Sequence, residues 1–217
     1  MTGWDVHVEG AVASGPLPPG GHAVRLGRLD EWARASGEPA REYVGRARSS
    51  GSRLLLRHAV AAAGGTQPHR VVVGRDGHGR PVLHAPAGLD VSISHTADVL
   101  VVGVARGRRI GVDVEAWDRP LLVPGLAERF CHPEELAELR ELPPAARNSM
   151  LVRLWTLKEA YTKALGVGLA YDFSHLRPRP APDSGWWLDR AAPGWRLRCD
   201  RVLDRYVVAR ALGPDGL

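Results

Sequence analysis

The pattern of apolar and polar positions predicts a chain of short strands interrupted by a few helices. In the first half, apolar residues recur at helical spacing across Leu54–Ala62, and Gly64 and Gly65 end that segment. Three β-branched runs follow, each separated from the next by a short polar turn: Val91–Ser94, Val99–Ala105 and Ile110–Glu115. Because the turns are short, these three runs predict an antiparallel meander.

The remaining segments predict further strands and helices. One strand is predicted at Trp4–Val8, and the segment 69–83 predicts a strand on each side of a glycine-rich turn. Three more strands are predicted at 186–190, 195–200 and 205–212. Helices are predicted at 126–142 and 146–165, and a loop at 177–185. The segments "VLVVGVA" and "RYVVARAL" resemble each other, but β-branched strands do so by composition, and the echo alone does not establish a duplication.

The composition is that of an ordinary globular protein, and we expect a single compact body. Of the 217 residues, 44% are hydrophobic and 24% are charged, which argues against wholesale disorder. The longest apolar runs are far shorter than the ~20 residues needed to cross a bilayer, so we expect no membrane span. The opening segment "MTGWDVHVEG" lacks a signal-peptide pattern, and we expect a cytoplasmic protein with reduced Cys131 and Cys199.

The charge of the chain favours an anionic partner. Its net charge is +5 and its pI is about 9.7, values that suit a nucleic acid, an acidic protein surface or a phosphorylated small molecule. Of the 29 basic residues only two are lysines, Lys158 and Lys163, and both lie in "WTLKEAYTKALGVG" (155–168). Because arginine is the usual cation of this chain, the two lysines indicate a specific role for that segment.

Two acidic residues of "GVDVE" share one face of a predicted strand. Successive side chains of a strand point to opposite faces, so Asp113 and Glu115 lie together while Val112 and Val114 face the core. A pair of carboxylates suits a hard cation such as Mg²⁺. A strand with one solvent-exposed face gives the same pattern, however, so the motif alone does not establish a metal site.

The predicted helix at 146–165 carries a stripe of three side chains. Trp155, Glu159 and Lys163 follow one another at intervals of four and therefore share one face. The compact ammonium group of a lysine reaches a single phosphate oxygen where the larger guanidinium does not fit. Glu159 is a candidate third metal ligand or base. The alternative is a surface Glu–Lys pair worth about 0.2–0.5 kcal/mol.

Two further segments offer candidate ligand contacts. "SISHT" places Ser94 and His95 where a strand enters a turn. The glycine-rich turn that ends at Arg80 lets the backbone approach a ligand closely. Neither segment alone establishes a ligand contact, because most such histidines and turns are structural.

Taken in order, these segments resemble the Sfp-type 4′-phosphopantetheinyl transferases, which transfer the phosphopantetheine arm of coenzyme A to a serine of a carrier protein. The matching segments are Gly79–Pro81, Ser92–His95, Gly111–Glu115 and Trp155–Gly168. The resemblance extends from about Arg53 to Ala170. The turn reads GRP here, where many relatives have GKP, so Arg80 must serve where a lysine often lies.

The resemblance implies an α+β fold of two similar halves with antiparallel sheets, 1–109 and 110–217. A pseudo-twofold axis would relate the halves, with coenzyme A in the cleft between them. It also implies that Asp113, Glu115 and Glu159 bind Mg²⁺ and that Lys163 contacts the phosphates. The other implied coenzyme A contacts are Ser94, His95, Arg53 and Arg46 or Arg48 at the 3′-phosphate, Gly79, Arg80 and Pro81 at the adenine, and Lys158 at the phosphates or pantetheine.

The predicted function is therefore Mg²⁺-dependent transfer of phosphopantetheine from coenzyme A to an acyl or peptidyl carrier protein, releasing adenosine 3′,5′-bisphosphate. Glu159, Lys163 and Asp113 are the predicted catalytic residues. We expect a monomer that binds neither nucleic acid nor a membrane. Two alternatives remain: a catalytically inactive relative that binds coenzyme A or a carrier, and a basic nucleic-acid-binding module, which the low aromatic content of 6% disfavours.

Overall fold

The computed structural model describes residues 16–29, 46–182, 185–189 and 193–216, and for residues 46–50 the backbone alone. The strands are β1 His22–Arg28, β2 Val72–Arg75, β3 Pro81–Ala85, β4 Leu89–Thr96, β5 Val99–Arg106, β6 Arg108–Ala116, β7 Arg177–Pro180, β8 Trp186–Asp189, β9 Arg196–Val202 and β10 Tyr206–Asp215. The α-helices within these ranges are α1 Arg46–Gly64, α2 Ala127–Phe130, α3 Pro133–Arg140 and α4 Pro144–Leu165.

The elements stack in four layers: helix α1, a first sheet, a second sheet and helix α4. The first sheet has the strand order β1-β5-β4 and the second the order β6-β10-β9-β8-β7, and the pairs are antiparallel. Alternation along β5 explains the layering, because Leu100 and Val102 pack against α1 while Val99 and Val101 pack against the second sheet. The predicted α+β class with antiparallel sheets is confirmed.

Helix α4 lies on the other face of the second sheet. In β6, Val112 and Val114 face the core, as predicted, and this core lies between the two sheets, so Asp113 faces α4. In β10, Ala209 and Ala211 pack in one cluster with the buried residues of α4. In chain order, the strands of the first sheet all end at or before Arg106, and those of the second sheet all begin at or after Arg108. The division at 109/110 and the pseudo-twofold relation stay predictions.

Strands β4 and β6 belong to different sheets and are joined by side chains, in a contact that we call the seam. Every second residue of β4 takes part: Asp90, Ser92, Ser94 and Thr96. Asp90 accepts the backbone N–H of Ile110 at 2.9 Å, and Ser92 accepts that of Val112 at 3.1 Å. Farther along, Ser94 and Thr96 donate to carboxylates of β6. The seam therefore sets where those carboxylates lie.

The structure corrects several predicted elements. Strand β6 pairs with β10, so the predicted three-strand meander is wrong, because β1 occupies the other edge of β5. Strand β1 was not predicted, although Val24 and Leu26 alternate with polar residues and are buried. The predicted loop 177–185 begins with β7, an edge strand, where prolines are tolerated.

Two other predictions concern helices and the N-terminal segment. The predicted helix 126–142 is two helices, α2 and α3, and His132 caps the start of α3. The predicted strand Trp4–Val8 lies outside the described residues. Among the described residues, no helix has the length and apolar character needed to cross a membrane.

Gly111 allows α4 to lie directly on β6. A Cβ atom at this position would overlap the carbonyl oxygen of Ala160 and come within 2.5 Å of the backbone nitrogen of Ala164. Gly111→Ala is therefore expected to lower the free energy of unfolding by about 3 kcal/mol, because the helix backbone must move. Urea unfolding measures the loss. Gly77→Ala is the control, since its methyl group would meet open space, and a loss no larger than the control's would contradict the prediction.

Candidate functional site

A cavity of about 1400 Å³ opens beside the seam. Its walls come from α1, the β2–β3 hairpin, the ends of β4 and β6, and the last turns of α4 with the segment that follows. The residues selected from the sequence that line it are Arg53, Gly79, Arg80, Pro81, Ser94, His95, Asp113, Glu115, Glu159 and Lys163. The fold thus brings together residues from distant parts of the chain.

Lys163 is tied to both strands of the seam. Its Nζ donates to Asp113 Oδ1 at 2.6 Å and to Ser94 Oγ at 3.0 Å, and Ser94 Oγ donates to the same Asp113 oxygen at 2.7 Å. Burial alone would lower the pKa of Lys163, but attraction by Asp113 and Glu159 outweighs burial and raises that pKa. The ammonium group is therefore held charged, while 28% of the side chain stays exposed.

Glu159 lies one turn before Lys163 on the same face of α4 and is only 7% exposed. Burial, together with repulsion from Asp113, raises the pKa of Glu159 to about 7. Its Oε2 lies 4.0 Å from Lys163 Nζ, whose charge opposes this rise. A carboxyl group with a pKa near 7 exchanges a proton readily at neutral pH, as a general base must.

Glu115 provides a further carboxylate in the same wall. Arg119 forms an ion pair with Glu115 Oε1, and Thr96 Oγ1 donates to Oε2 at 3.4 Å. Burial and repulsion from Asp113 raise the pKa of Glu115. The guanidinium carbon of Arg119 also lies 5.1 Å from the ring centroid of Trp155, a cation–π distance. Arg119 therefore connects the carboxylate to the aromatic ring.

The three carboxylates predicted to bind Mg²⁺ share this wall but do not form a preassembled metal site. Within the described ranges, no three Asp, Glu, His or Cys side chains are arranged to hold a metal ion. Instead Asp113 pairs with Lys163, and Glu115 with Arg119. Their chemistry still fits a hard cation. Asp113 Oδ2 is buried without a hydrogen-bond partner. Burial and repulsion between carboxylates raise the pKa values of Glu115 and Glu159, and the neighbouring cations offset this rise only in part.

The turn Gly79–Pro81 lines the cavity, but the guanidinium of Arg80 is engaged in internal contacts. It forms an ion pair with Asp90 at 2.5 Å and donates to the carbonyl oxygens of Lys163 at 3.0 Å and Ile110 at 3.2 Å. Arg80 is 9% exposed. The predicted contact with adenine therefore depends on the backbone of the turn rather than on this charged group.

The predicted 3′-phosphate contacts come from two elements. His95, at the end of β4, and Arg53, in α1, both line the cavity and are exposed. Arg46 and Arg48 begin α1, but their side chains lie outside the described residues. Ser94, also predicted there, bonds Asp113 and Lys163 through its Oγ. The roles of all five residues at a phosphate stay predictions.

Comparisons with known proteins agree with the motifs that line the cavity. A family model described as the 4′-phosphopantetheinyl transferase superfamily matches residues 109–211. The chain is 35% identical over 171 residues to the 4′-phosphopantetheinyl transferase HetI of a Nostoc species, across 77% of this chain and 70% of HetI. The chain belongs to the 4′-phosphopantetheinyl transferase family.

Two further members of the family match over a smaller share of their length. The transferase psf-1 of Bacillus pumilus is 27% identical across 69% of this chain and 63% of its own. A 4′-phosphopantetheinyl transferase of Bacillus subtilis is 31% identical across 60% of this chain and 57% of its own. Among solved structures, a holo-(acyl-carrier-protein) synthase of Bacillus anthracis in complex with coenzyme A has a TM-score of 0.42 and 20% identity, across 48% of this chain and 93% of that one.

In this member of the transferase family, Lys158 does not line the cavity, and its predicted contact with coenzyme A is wrong in this structure. The side chain is 0% exposed, and its Nζ donates to Glu135 Oε2 at 2.5 Å and to the carbonyl oxygen of Phe130 at 2.8 Å. Adjacent helix positions point about 100° apart, so Lys158 faces α2 and α3 while its neighbour Glu159 faces the cavity.

Two residues of this transferase site were not selected from the sequence. Arg119 is one of many arginines and carries no distinguishing signal. Asp90 does carry one, because it precedes Ser92 and Ser94 by one and two strand periods and so lies on the same face of β4. Extending the polar alternation backward from "SISH" would have found it.

Proposed function

We propose that the chain transfers the 4′-phosphopantetheine group of coenzyme A to a serine of an acyl or peptidyl carrier protein, releasing adenosine 3′,5′-bisphosphate. The observation that carries this proposal is the charged Lys163, bound to Asp113 and next to Glu159 in the wall of the cavity. The cavity exceeds the ~300–1000 Å³ of ordinary small-molecule pockets. Membership of the family supplies the reaction type.

Each of these side chains has a place in the chemistry. The serine hydroxyl of the carrier attacks the β-phosphorus of the coenzyme A pyrophosphate, and the bond to the leaving adenosine 3′,5′-bisphosphate breaks. Lys163, held protonated, would bind oxygens of the pyrophosphate and offset the charge that develops there. Glu159, beside Lys163 in the same wall, would accept the proton of the serine. Asp113 would keep the ammonium of Lys163 in place.

We propose Mg²⁺ as the metal of this site, with Asp113, Glu115 and Glu159 as its protein ligands. Bound there, Mg²⁺ would neutralise pyrophosphate charge in the ground state and in the transition state. The support is the unpartnered Asp113 Oδ2 and the raised pKa values of Glu115 and Glu159.

The partners follow from the same proposal. The net charge of +5 would favour encounter with an acidic carrier protein. We propose that the chain acts as a cytoplasmic monomer and binds neither nucleic acid nor a membrane.

The 3′-phosphate of coenzyme A would lie near His95 and Arg53, and the adenine near the Gly79–Pro81 turn, because these residues line one cavity with Lys163.

Incubation with coenzyme A, Mg²⁺ and a panel of apo carrier proteins tests the activity. The panel contains fatty-acid, polyketide and nonribosomal-peptide carriers, and intact-protein mass spectrometry detects the product. We expect at least one carrier to gain the mass of one phosphopantetheine group. Asp113→Asn should lose this transfer, whereas Asp118→Asn, at an exposed aspartate outside the cavity wall, should keep it. A folded wild-type chain that modifies no carrier would contradict the proposal.

A further inference from the structure

Arg80 joins three elements at one point beside the cavity. Its side chain extends from the turn between β2 and β3 and donates through Nε to the carbonyl oxygen of Lys163, in the last turn of α4, at 3.0 Å. Another guanidinium nitrogen donates to the carbonyl oxygen of Ile110, in β6, at 3.2 Å. Arg80 therefore contacts the backbone of both elements that carry the catalytic side chains.

Asp90 fixes the guanidinium in this position. Its Oδ2 lies 2.5 Å from the NH2 group of Arg80 and also accepts the backbone N–H of Ile110 at 2.9 Å. Both partners of the ion pair are buried. A buried, geometrically defined pair of this kind holds the elements that it joins in one arrangement.

The carbonyl end of α4 gives Arg80 a favourable place to bind. Gly166 ends the helix with φ 85°, and its N–H bonds the carbonyl oxygens of Thr162 and Lys163. Negative partial charge accumulates at the last carbonyls of a helix, so a guanidinium is stabilised there. Arg80 thus completes the C-terminal cap of α4 from a hairpin that is distant in sequence.

We propose that Arg80, held by Asp90, is a positioning residue that sets Lys163 against Asp113 in the wall of the cavity. Arg80 acts on the backbone of Lys163, and the side chain of Lys163 in turn reaches Asp113 Oδ1 at 2.6 Å and Ser94 Oγ at 3.0 Å. The inference rests on the proposed function in so far as Lys163 binds the pyrophosphate. It gives the arginine of the GRP turn a role in aligning the catalytic groups.

The fork geometry of arginine is essential to this role. Nε of Arg80 donates to the carbonyl oxygen of Lys163, and a second nitrogen, the NH2 group, donates to both Asp90 and the carbonyl oxygen of Ile110. A lysine carries one ammonium group and cannot serve all these positions at once. Arg80→Lys should therefore keep the charge but lose part of the alignment.

The test uses the double variant Arg80→Gln, Asp90→Asn, which leaves no buried charge without a partner. Because the chain has only two lysines, a ¹⁵N side-chain spectrum of the free protein contains two lysine ammonium signals, and one of them reports on Lys163. We expect the Lys163 signal to move while that of Lys158 stays. We also expect kcat to fall about 10-fold or more with the KM for coenzyme A changed less than about threefold, because misplacement costs rate rather than binding.

The matched control is Arg108→Gln, Asp215→Asn. This pair also joins an arginine to an aspartate, Arg108 in β6 to Asp215 in β10, but it lies outside the cavity wall. Both the Lys163 signal and kcat should therefore be unchanged. If the Arg80 double variant does not fold, Arg80→Lys serves instead, with the same expected separation of kcat from KM.

Two results would overturn the proposal. One is an unmoved Lys163 signal in the folded double variant. The other is a raised KM for coenzyme A with kcat retained, which would make Arg80 a direct contact of the ligand. The spectrum needs no substrate. If the wild-type chain modifies no carrier, the proposed function fails, but the spectrum still decides whether Arg80 positions Lys163.

Discussion

Glu159→Gln is expected to lower carrier modification by at least about 100-fold and, in metal-free buffer above pH 7, to make the protein more stable. The loss of activity follows from removing the group that would accept the serine proton and bind the metal. The gain in stability follows because burial and the charge of Asp113 raise the pKa of Glu159 to about 7. A neutral amide avoids both costs.

The pH dependence has a definite sign. In the unfolded chain Glu159 ionises near the ordinary glutamate pKa of 4.5, but in the folded chain it holds its proton up to about pH 7. Its favourable contribution to stability is therefore complete below pH 4.5, falls as the pH rises through this window, and is lost above pH 7. Glutamine removes that decline, so the advantage of the variant should grow to about 2–3 kcal/mol by pH 8.

Urea unfolding of both proteins in a chelator, from pH 5 to pH 8, measures this difference. Glu128→Gln, at an exposed glutamate of α2, is the control and should follow the wild type at every pH. Adding Mg²⁺ should stabilise the wild type more than Glu159→Gln. A variant that is less stable than the wild type at pH 8 without metal would show that Glu159 is not under electrostatic strain.

Lys158→Ala is expected to destabilise the fold by about 3–5 kcal/mol, because it leaves the carboxylate of Glu135 buried without its partner. Burial lowers the pKa of Lys158 and raises that of Glu135, and their attraction only partly offsets burial. Glu135 Oε1 already lacks a hydrogen-bond partner. Chemical denaturation of the single variant measures the loss.

The double variant Lys158→Met, Glu135→Gln separates structure from catalysis. A glutamine can still accept the backbone N–H of His132, as Glu135 does at 2.8 Å, and methionine fills the volume of the lysine stem, so much of the lost stability should return. Carrier modification by this folded variant should stay within about threefold of wild type, because a residue without substrate contact contributes no binding or rate. A much larger loss of activity would instead support the predicted contact of Lys158 with coenzyme A.

The sequence predicted the parts of this molecule that depend on local pattern. Alternation placed Asp113 on the face of β6 opposite to Val112 and Val114, and helical spacing placed Glu159 and Lys163 on one face of α4, as the structure has them. To predict these positions, only the side-chain periods of a strand and of a helix are required. The same rules predicted most strand and helix positions.

The parts that it missed depend on tertiary contacts. The neighbouring residues Lys158 and Glu159 lie in different environments, because α2 and α3 cover one side of α4 and the cavity lies on the other. The local sequence does not indicate which side of the helix is covered. The pairing of β6 with β10 joins strands that are far apart in the sequence. The engagement of Arg80 with Asp90 and the end of α4 likewise depends on that assembly.

The seam has a consequence for how such a chain can vary in length. Its contacts recur at every second residue of β4, from Asp90 to Thr96. Losing or gaining one residue within that stretch would move every polar side chain beyond it to the opposite face, where α1 packs on the sheet. We therefore expect viable insertions and deletions to fall in the turns that flank β4 and not within it. The length of β4 is therefore constrained more strongly than the length of the turns on either side of it.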